Sequence, residues 1–339
     1  MHDANNPTPR LLGDSPEMCS LRRRLEKVAA TPLPVLLIGE TGTGKEVAAR
    51  YLHHLSDRSG PFIAVDCGAL SPSLVEAELF GYERGAFTGA TQRRHGLVHT
   101  ARAGTFFLDE VGELPLPAQT RLLRLLEEGT YRPLGAEQEH QADIRVMAAT
   151  WRDLRESVNE GRFRSDLYHR LAVVELHLPP LRQRPEDIDL LFEHFLDLAA
   201  ERTGRVPPPL DATVRSHMHR WPWPGNVREL RNVATYLCAM TRGGRVGLAD
   251  LPPRLLGTPP SVETLVDGRS AASTLVRTDL PYMDARRLWL DDFQVRYVEA
   301  MLDEHDGNVS AAARAAGMDR RSIQRILKRA RRGDETEDR

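Results

Sequence analysis

The chain has 339 residues, 41% apolar and 28% charged, with a formal net charge of −2. These are the values of a globular protein long enough for two or three domains, and no run of about 18 apolar residues offers a membrane span. Three scattered cysteines (Cys19, Cys67, Cys238) argue against a disulfide framework, and neither the His53–His54 pair nor the HMH at 217–219 has the i, i+4 spacing of metal ligands, so a reducing cytoplasm is the expected compartment.

Residues 1–10 read as a short tail without the apolar core of a signal peptide. From about residue 20 to 180, short apolar runs alternate with helical patterns: PVLLIG (34–39), PFIAVD (61–66), GTFFLDE (104–110), IRVMAAT (144–150) and LAVVELHL (171–178). Five such runs predict an α/β domain over 11–183, a parallel sheet flanked by helices.

GETGTGK (39–45) follows the first run and precedes a predicted helix, EVAARYLHHL. It fits the G-x-x-x-x-G-K phosphate loop in its required strand–loop–helix setting. Its glycines let backbone N–H groups turn toward phosphate oxygens, and the helix start adds positive potential. The ATP-binding candidates are Gly39, Glu40, Thr41, Gly42, Thr43, Gly44, Lys45 and Glu46, with Lys45 reaching the outer phosphates. Glu46 stands where a Ser or Thr usually touches Mg²⁺, so the metal must lean on other ligands.

Between the second and third runs, GYERGAFTGA (81–90) has neither a strand's alternation nor a helix's apolar face. FFLDE (106–110) then ends an apolar strand in two acids about 65 residues after the phosphate loop. Such a strand buries its apolar part and delivers carboxylates to the sheet edge where ligands bind. Asp109 is the expected Mg²⁺ ligand, and Glu110 the residue that orients the attacking water.

Residues 186–201 and 210–255 carry helical patterns and predict a helical lid over 184–256. Residues 257–284 are rich in Pro, Gly, Ser and Thr, which predicts a linker. Charge then separates sharply: 291–306 hold six acids and one base, and 310–332 hold eight bases and one acid. GNVSAAARAAGMDRRSIQRILKRARR (307–332) reads as two helices around Gly317, the second capped by Asp319 with Ile323, Ile326 and Leu327 on its core face. Within a module at 285–332, followed by a tail at 333–339, this is the pattern of a helix-turn-helix. Arg320, Arg321, Ser322, Gln324, Arg325, Lys328 and Arg329 are its candidate contacts to double-stranded DNA.

GETGTGKE, ELFGYERGAFTGA, GTFFLDEVGELP, FRSDLYHRLAVVELHLPPLRQRPEDI and WPGNVRELRN occur in this order over roughly residues 10–250. Together they resemble the AAA+ domain of bacterial sigma-54-dependent transcription activators, and the resemblance resumes at 290–330, where that family carries a Fis-type helix-turn-helix. It implies an AAA+ P-loop NTPase that hydrolyses ATP with Mg²⁺, forms a homo-oligomer from dimer to hexameric ring, binds upstream DNA and remodels sigma-54 RNA polymerase holoenzyme. It makes Gly85, Ala86, Phe87, Thr88, Gly89 and Ala90 the sigma-54 contact loop. It makes Arg164 and Arg170 the pair that reaches a neighbouring subunit's ATP, and Arg228 the lid arginine that senses nucleotide.

Two positions depart from the family pattern. Asp66 stands where many relatives carry the Asn that checks the catalytic Glu, and a carboxylate there is expected to repel Glu110 unless one of the two is protonated or both face a cation. Trp151 stands where relatives often carry Asn or His, so γ-phosphate sensing is expected to rest on Thr150 or to be weakened. The resemblance begins near Leu11 and leaves no room in this sequence for the sensory domain the family often carries, so control is expected from expression level, a bound regulatory protein or a co-activator. Two other readings remain. An AAA+ unfoldase or helicase fits the ATP site but not the GAFTGA context. A repressor with a degenerate ATP site does not fit the intact Lys45, Asp109, Glu110, Arg164 and Arg170.

Overall fold

Each of the five apolar runs contains a strand: β1 (Val35–Ile38), β2 (Phe62–Asp66), β3 (Thr105–Asp109), β4 (Arg145–Thr150) and β5 (Val174–His177). They form one parallel sheet in the order β2-β3-β4-β1-β5. The computed structural model describes residues 10–256 apart from 88, 242 and 243, and beyond them only Val298, Met301, Asn308, Val309 and Ala315. The chain divides into two units, Met1–Pro259 and Pro260–Arg339. Thr88, the linker and the DNA-contact candidates Arg320, Arg321, Ser322, Gln324, Arg325, Lys328 and Arg329 lie outside the described residues.

The runs lack polar alternation because both faces of the sheet are covered. Leu36, Phe106, Leu108, Val146 and Ala148 face one apolar core, into which helices α3 (Val75–Phe80), α4 (Leu116–Glu128) and α6 (Ser165–Leu171) send Leu79, Leu122 and Leu167. Val35, Leu37, Phe107, Met147 and Ala149 face the other core, with Leu25 and Leu52 from α1 (Pro16–Ala29) and α2 (Lys45–Leu55). Another helix, α5 (Leu154–Asn159), follows β4. The last run is only part strand: Leu171 ends α6, so pairing begins at Val174.

The lid is helical, as its periodicity predicts. Helices α7 (Asp187–Thr203), α8 (Ala212–Arg220) and α9 (Asn226–Met240) enclose a third core around Phe192, Met218, Trp223, Val233 and Leu237. Trp223 is fully buried and donates its indole N–H to the Met218 carbonyl at 2.9 Å, so the WPWP stretch shapes the lid from within.

Two buried charges fasten α1 at both ends. Arg145 donates to the Val28 and Ala29 carbonyls at 2.8 and 3.0 Å, satisfying acceptors that the helix end leaves open. Burial pulls its guanidinium down to about 10. Asp187, from the lid, accepts from the N–H groups of Asp14 and Ser15 and from the Ser15 hydroxyl at 2.6, 2.9 and 2.8 Å. Asp187→Ala strands three donors, the two of Ser15 buried and that of Asp14 half-buried, and hydrogen bonds to a charged acceptor contribute about 1.5–3 kcal/mol each without adding fully. The expected loss is about 3 kcal/mol, read as a clear fall in melting temperature.

Candidate functional site

The loop between β1 and α2 lies at the carboxyl edge of the sheet, where parallel α/β folds bind ligands. Gly42 and Gly44 hold φ values of 82° and 103°, the left-handed region that glycine enters without steric cost. A Cβ on Gly42 would also stand 2.4 Å from the Gly225 carbonyl oxygen, so the lid closes on the loop at this point. Lys45 opens α2 and is only 6% exposed. Its ammonium donates to the Gly39 and Glu40 carbonyls at 2.9 and 3.4 Å and lies 3.5 Å from Glu110 Oε1.

Asp109 closes β3, and Glu110 follows in a left-handed backbone conformation at φ 53°. For a non-glycine residue that is a strained geometry of the kind found at functional sites. Burial raises the pKa of both carboxyls, while the Lys45 charge pulls each back down. Asp66 is the register partner of Asp109, and the charges of Asp66 and Glu46 push Asp109 up further. Asp66 thus raises Asp109, its neighbour across the strand pair, and the cation beside Glu110 is the Lys45 ammonium. Asp66 Oδ1 itself accepts from the Gly68 N–H at 3.0 Å.

Because the native pKa of Asp109 lies above its unfolded value, ionisation penalises the folded state. The penalty is fully present above the raised native pKa and vanishes below the unfolded one. Asp109→Asn is expected to raise the melting temperature near neutral pH, with the gain fading in acid. A thermal melt series across pH reads both signs.

Three further site expectations change on the structure. Glu46 does not turn to the loop: its carboxylate takes the Arg50 guanidinium at 2.9 and 2.7 Å along α2, the i, i+4 neighbour a helix provides. The Thr150 hydroxyl is buried and accepts the Arg152 N–H at 3.0 Å, which leaves it tied into its own turn. The Trp151 ring is 48% exposed beneath the Arg152 guanidinium, whereas its backbone N–H donates to Glu110 Oε2 at 3.4 Å. The group at this position that meets the acid pair is thus the main-chain N–H, which every residue type except proline supplies.

The lid meets the loop through residues the motifs did not mark. Arg182 holds Glu40 in a two-pronged ion pair at 2.7 and 2.5 Å, which lowers the carboxyl's pKa. Asn226, Arg184 and the Arg228 N–H each donate to a carbonyl of the loop. Arg228 touches the loop by its backbone, and its side chain is exposed. The signal available for Arg182 and Arg184 was two arginines in RQRPEDI beside a proline turn, with Arg184 almost wholly buried.

Arg164 pairs with Asp166 at 3.0 and 2.7 Å and approaches the Thr120 hydroxyl at 3.5 Å. Within one chain it therefore sits in an exposed ion pair, and Arg170 is exposed at the end of α6.

GAFTGA caps a two-stranded antiparallel hairpin, Gly81–Tyr82 against Arg94–His95. The cap closes on itself: Gly85 N–H donates to Ala90 O at 2.8 Å and Ala90 N–H to Phe87 O at 3.0 Å. Gly85 and Gly89 take φ of 83° and 105° and have no neighbour where a Cβ would lie. Ala86 rests against Gly135, in the segment linking a second hairpin, Thr130–Tyr131 and His140–Gln141. The Phe87 ring is 37% exposed and meets Tyr82 edge-on, with centroids 5.0 Å apart. It stands outside all three apolar cores, so the aromatic is not a plug for the protein's own interior.

Residues 11–177 match the sigma-54 interaction domain family and residues 182–266 the AAA+ ATPase lid domain family. The chain is 42% identical over 324 residues to the nitric oxide reductase transcription regulator NorR1 of Cupriavidus necator, covering 94% of this chain and 63% of that protein. It is 40% identical to the DNA-binding transcriptional regulator NtrC of Azospirillum brasilense, covering 94% of this chain and 69% of the relative. Among solved structures, NtrX of Brucella abortus in complex with ADP matches with a TM-score of 0.69 at 32% identity, over 94% of this chain and 68% of that one. The same protein in complex with ATP matches equally, with a TM-score of 0.69. The chain thus spans a little under two thirds of NorR1 and a little over two thirds of NtrC and NtrX.

Proposed function

Because the chain belongs to the family of sigma-54-dependent transcription regulators and carries their AAA+ P-loop NTPase fold with its lid, we propose that it hydrolyses ATP to remodel sigma-54 polymerase closed complexes on promoters. The observation that carries this reading is the convergence of a buried Lys45 ammonium, a glycine-shaped loop and the Asp109–Glu110 pair at one sheet edge. Lys45 and the loop residues 39–44 hold the phosphates. Glu110, held between Lys45 and the Trp151 N–H, orients the attacking water. Asp109 is the ligand for Mg²⁺. Its oxygen set, beside Asp66, suits a hard divalent ion that keeps waters and phosphate oxygens in its shell. Among the described residues, no group of three or more His, Cys, Asp or Glu side chains could hold a metal by itself. When bound, the ion neutralises charge on the phosphates.

Arg164 and Arg170 serve the neighbouring subunit's nucleotide in a ring, with Arg164 leaving Asp166 to do so, since an exposed, solvent-screened pair of that kind holds weakly. The hairpin tip with Phe87, together with Thr88 next to it in sequence, meets sigma-54. The domain plan is the α/β part to 183, the lid to 256, a linker to 284 and a DNA-binding helix-turn-helix to 332 that reads upstream sites through Arg320, Arg321, Ser322, Gln324, Arg325, Lys328 and Arg329. Such a protein works in the cytoplasm, and no helix among the described residues is long and apolar enough to cross a membrane. The test is promoter opening in vitro: with ATP the purified chain converts a sigma-54 closed complex to an open one, and without ATP it does not. Opening in its absence, or none in its presence, would count against the proposal.

A further inference from the structure

The lid holds the phosphate loop by three consecutive carbonyls. Asn226 Nδ2 donates to Thr41 O at 3.1 Å, the Arg228 N–H to Gly42 O at 3.2 Å, and Arg184 Nη2 to Thr43 O at 3.1 Å. A carbonyl and the next residue's N–H share one rigid peptide plane and point opposite ways. Three carbonyls turned to the lid therefore turn the N–H groups of Gly42, Thr43 and Gly44 away from it, into the loop's concave side, where Thr43 N–H makes only a long 3.3 Å bond to Glu40 O.

Asn226 is the centre of this arrangement. It is fully buried, at the first position of α9, with a left-handed backbone at φ 49° that Asn tolerates better than most residues. Its amide is fixed from three sides: Oδ1 accepts the Leu181 N–H at 2.8 Å, and Nδ2 donates to Thr41 O and to Glu40 Oε2 at 3.1 Å each. Glu40 is in turn fixed by Arg182. The donor end of the amide must face the loop, because the Leu181 N–H is itself a donor and takes the amide oxygen, while Thr41 O and Glu40 Oε2 are acceptors.

We infer that Asn226 is a positioning residue for nucleotide: with Arg184 and the Arg228 N–H it braces the carbonyls of Thr41, Gly42 and Thr43 so that the loop's N–H groups are presented to the phosphates. This rests on the nucleotide reading above and adds a coupling. The brace comes from the lid, so lid position and phosphate affinity change together, although the Asn226 side chain meets the loop only on its carbonyl side, through Thr41 O and Glu40.

Asn226→Asp separates positioning from architecture. The aspartate keeps the left-handed backbone and the acceptor for Leu181, but it removes the donor to Thr41 O and sets a negative charge beside Glu40. Titration with a fluorescent ADP analogue is expected to show affinity about tenfold weaker than wild type at pH 8, roughly 1.4 kcal/mol. Protonation of the new carboxyl at lower pH restores an O–H donor, and the buried, Glu40-facing site favours the neutral form. The deficit relative to wild type is expected to shrink to about threefold or less at pH 6. A merely structural residue would show a deficit with no such recovery. If Asn226→Asp does not fold, Asn226→Gly, which also accepts the left-handed backbone, is expected to bind about tenfold more weakly at both pH values. Wild-type affinity in either folded variant, or a deficit in Asn226→Asp that pH does not move, overturns the brace. Wild-type protein that binds no ADP overturns the nucleotide reading itself, and the brace with it.

Discussion

Lys45→Ala is expected to weaken ATP binding by about 100-fold or more and to leave no measurable hydrolysis, since a buried charged hydrogen bond contributes about 1.5–3 kcal/mol and an ionic attraction to phosphate adds to it. The ammonium is already desolvated, 6% exposed and pinned by the Gly39 and Glu40 carbonyls, so it reaches phosphate with little further loss of hydration or rotamer freedom. The substitution acts twice. It removes the phosphate's cation, and it strips Glu110 of the positive charge that offsets its burial. Glu110 then titrates still higher and is a poorer acceptor for water at neutral pH. Equilibrium titration with a fluorescent nucleotide reads the first effect and phosphate release the second. Unchanged affinity would remove the phosphate loop from the account.

Phe87→Ala is expected to do the reverse: ATPase activity stays within about twofold of wild type, while activation at a sigma-54 promoter falls by about 30-fold or more, the scale of an interface hot spot at 2 kcal/mol and above. The ring contributes little to folding. It lies outside the apolar cores, its ring contact is Tyr82, and the loop around it is closed by main-chain bonds that alanine retains. Thr88→Ala at the same tip is expected to give the same split. Promoter activation near wild type in both variants would show that this hairpin is not the contact. Equal loss of ATPase and activation would make the loop part of the nucleotide site instead.

What could be read before folding was local. The sheet was legible because strands covered on both faces become uninterrupted apolar runs, as in FFL at 106–108, where Phe106 and Leu108 enter one core and Phe107 the other. The phosphate loop was legible because seven adjacent residues carry it. The lid's hold on that loop was not, because it joins residues far apart in the chain. Asn226 to Thr41, Arg184 to Thr43 and Arg182 to Glu40 span 185, 141 and 142 positions. Arginine and asparagine at such distances read as surface residues until the fold brings them under cover.

The corrections share a cause as well. Glu46 and Thr150 each had a nearer partner, Arg50 and the Arg152 N–H, within four residues. Motif position gives a side chain's address, and short-range hydrogen bonding decides its direction. Trp151 shows the converse. A side chain that departs from the family pattern leaves the site's contact intact, because the donor to Glu110 is the backbone N–H.

The account depends on chemistry at the Lys45–Glu110 edge being felt at the Phe87 hairpin. The most direct test is capture of purified sigma-54 by this chain with ADP and aluminium fluoride, which together imitate ATP in the act of hydrolysis. The account predicts a stable complex with that mimic and none with ADP alone, lost in Phe87→Ala. A chain that hydrolyses ATP yet holds sigma-54 equally in every nucleotide state, or in none, would contradict it.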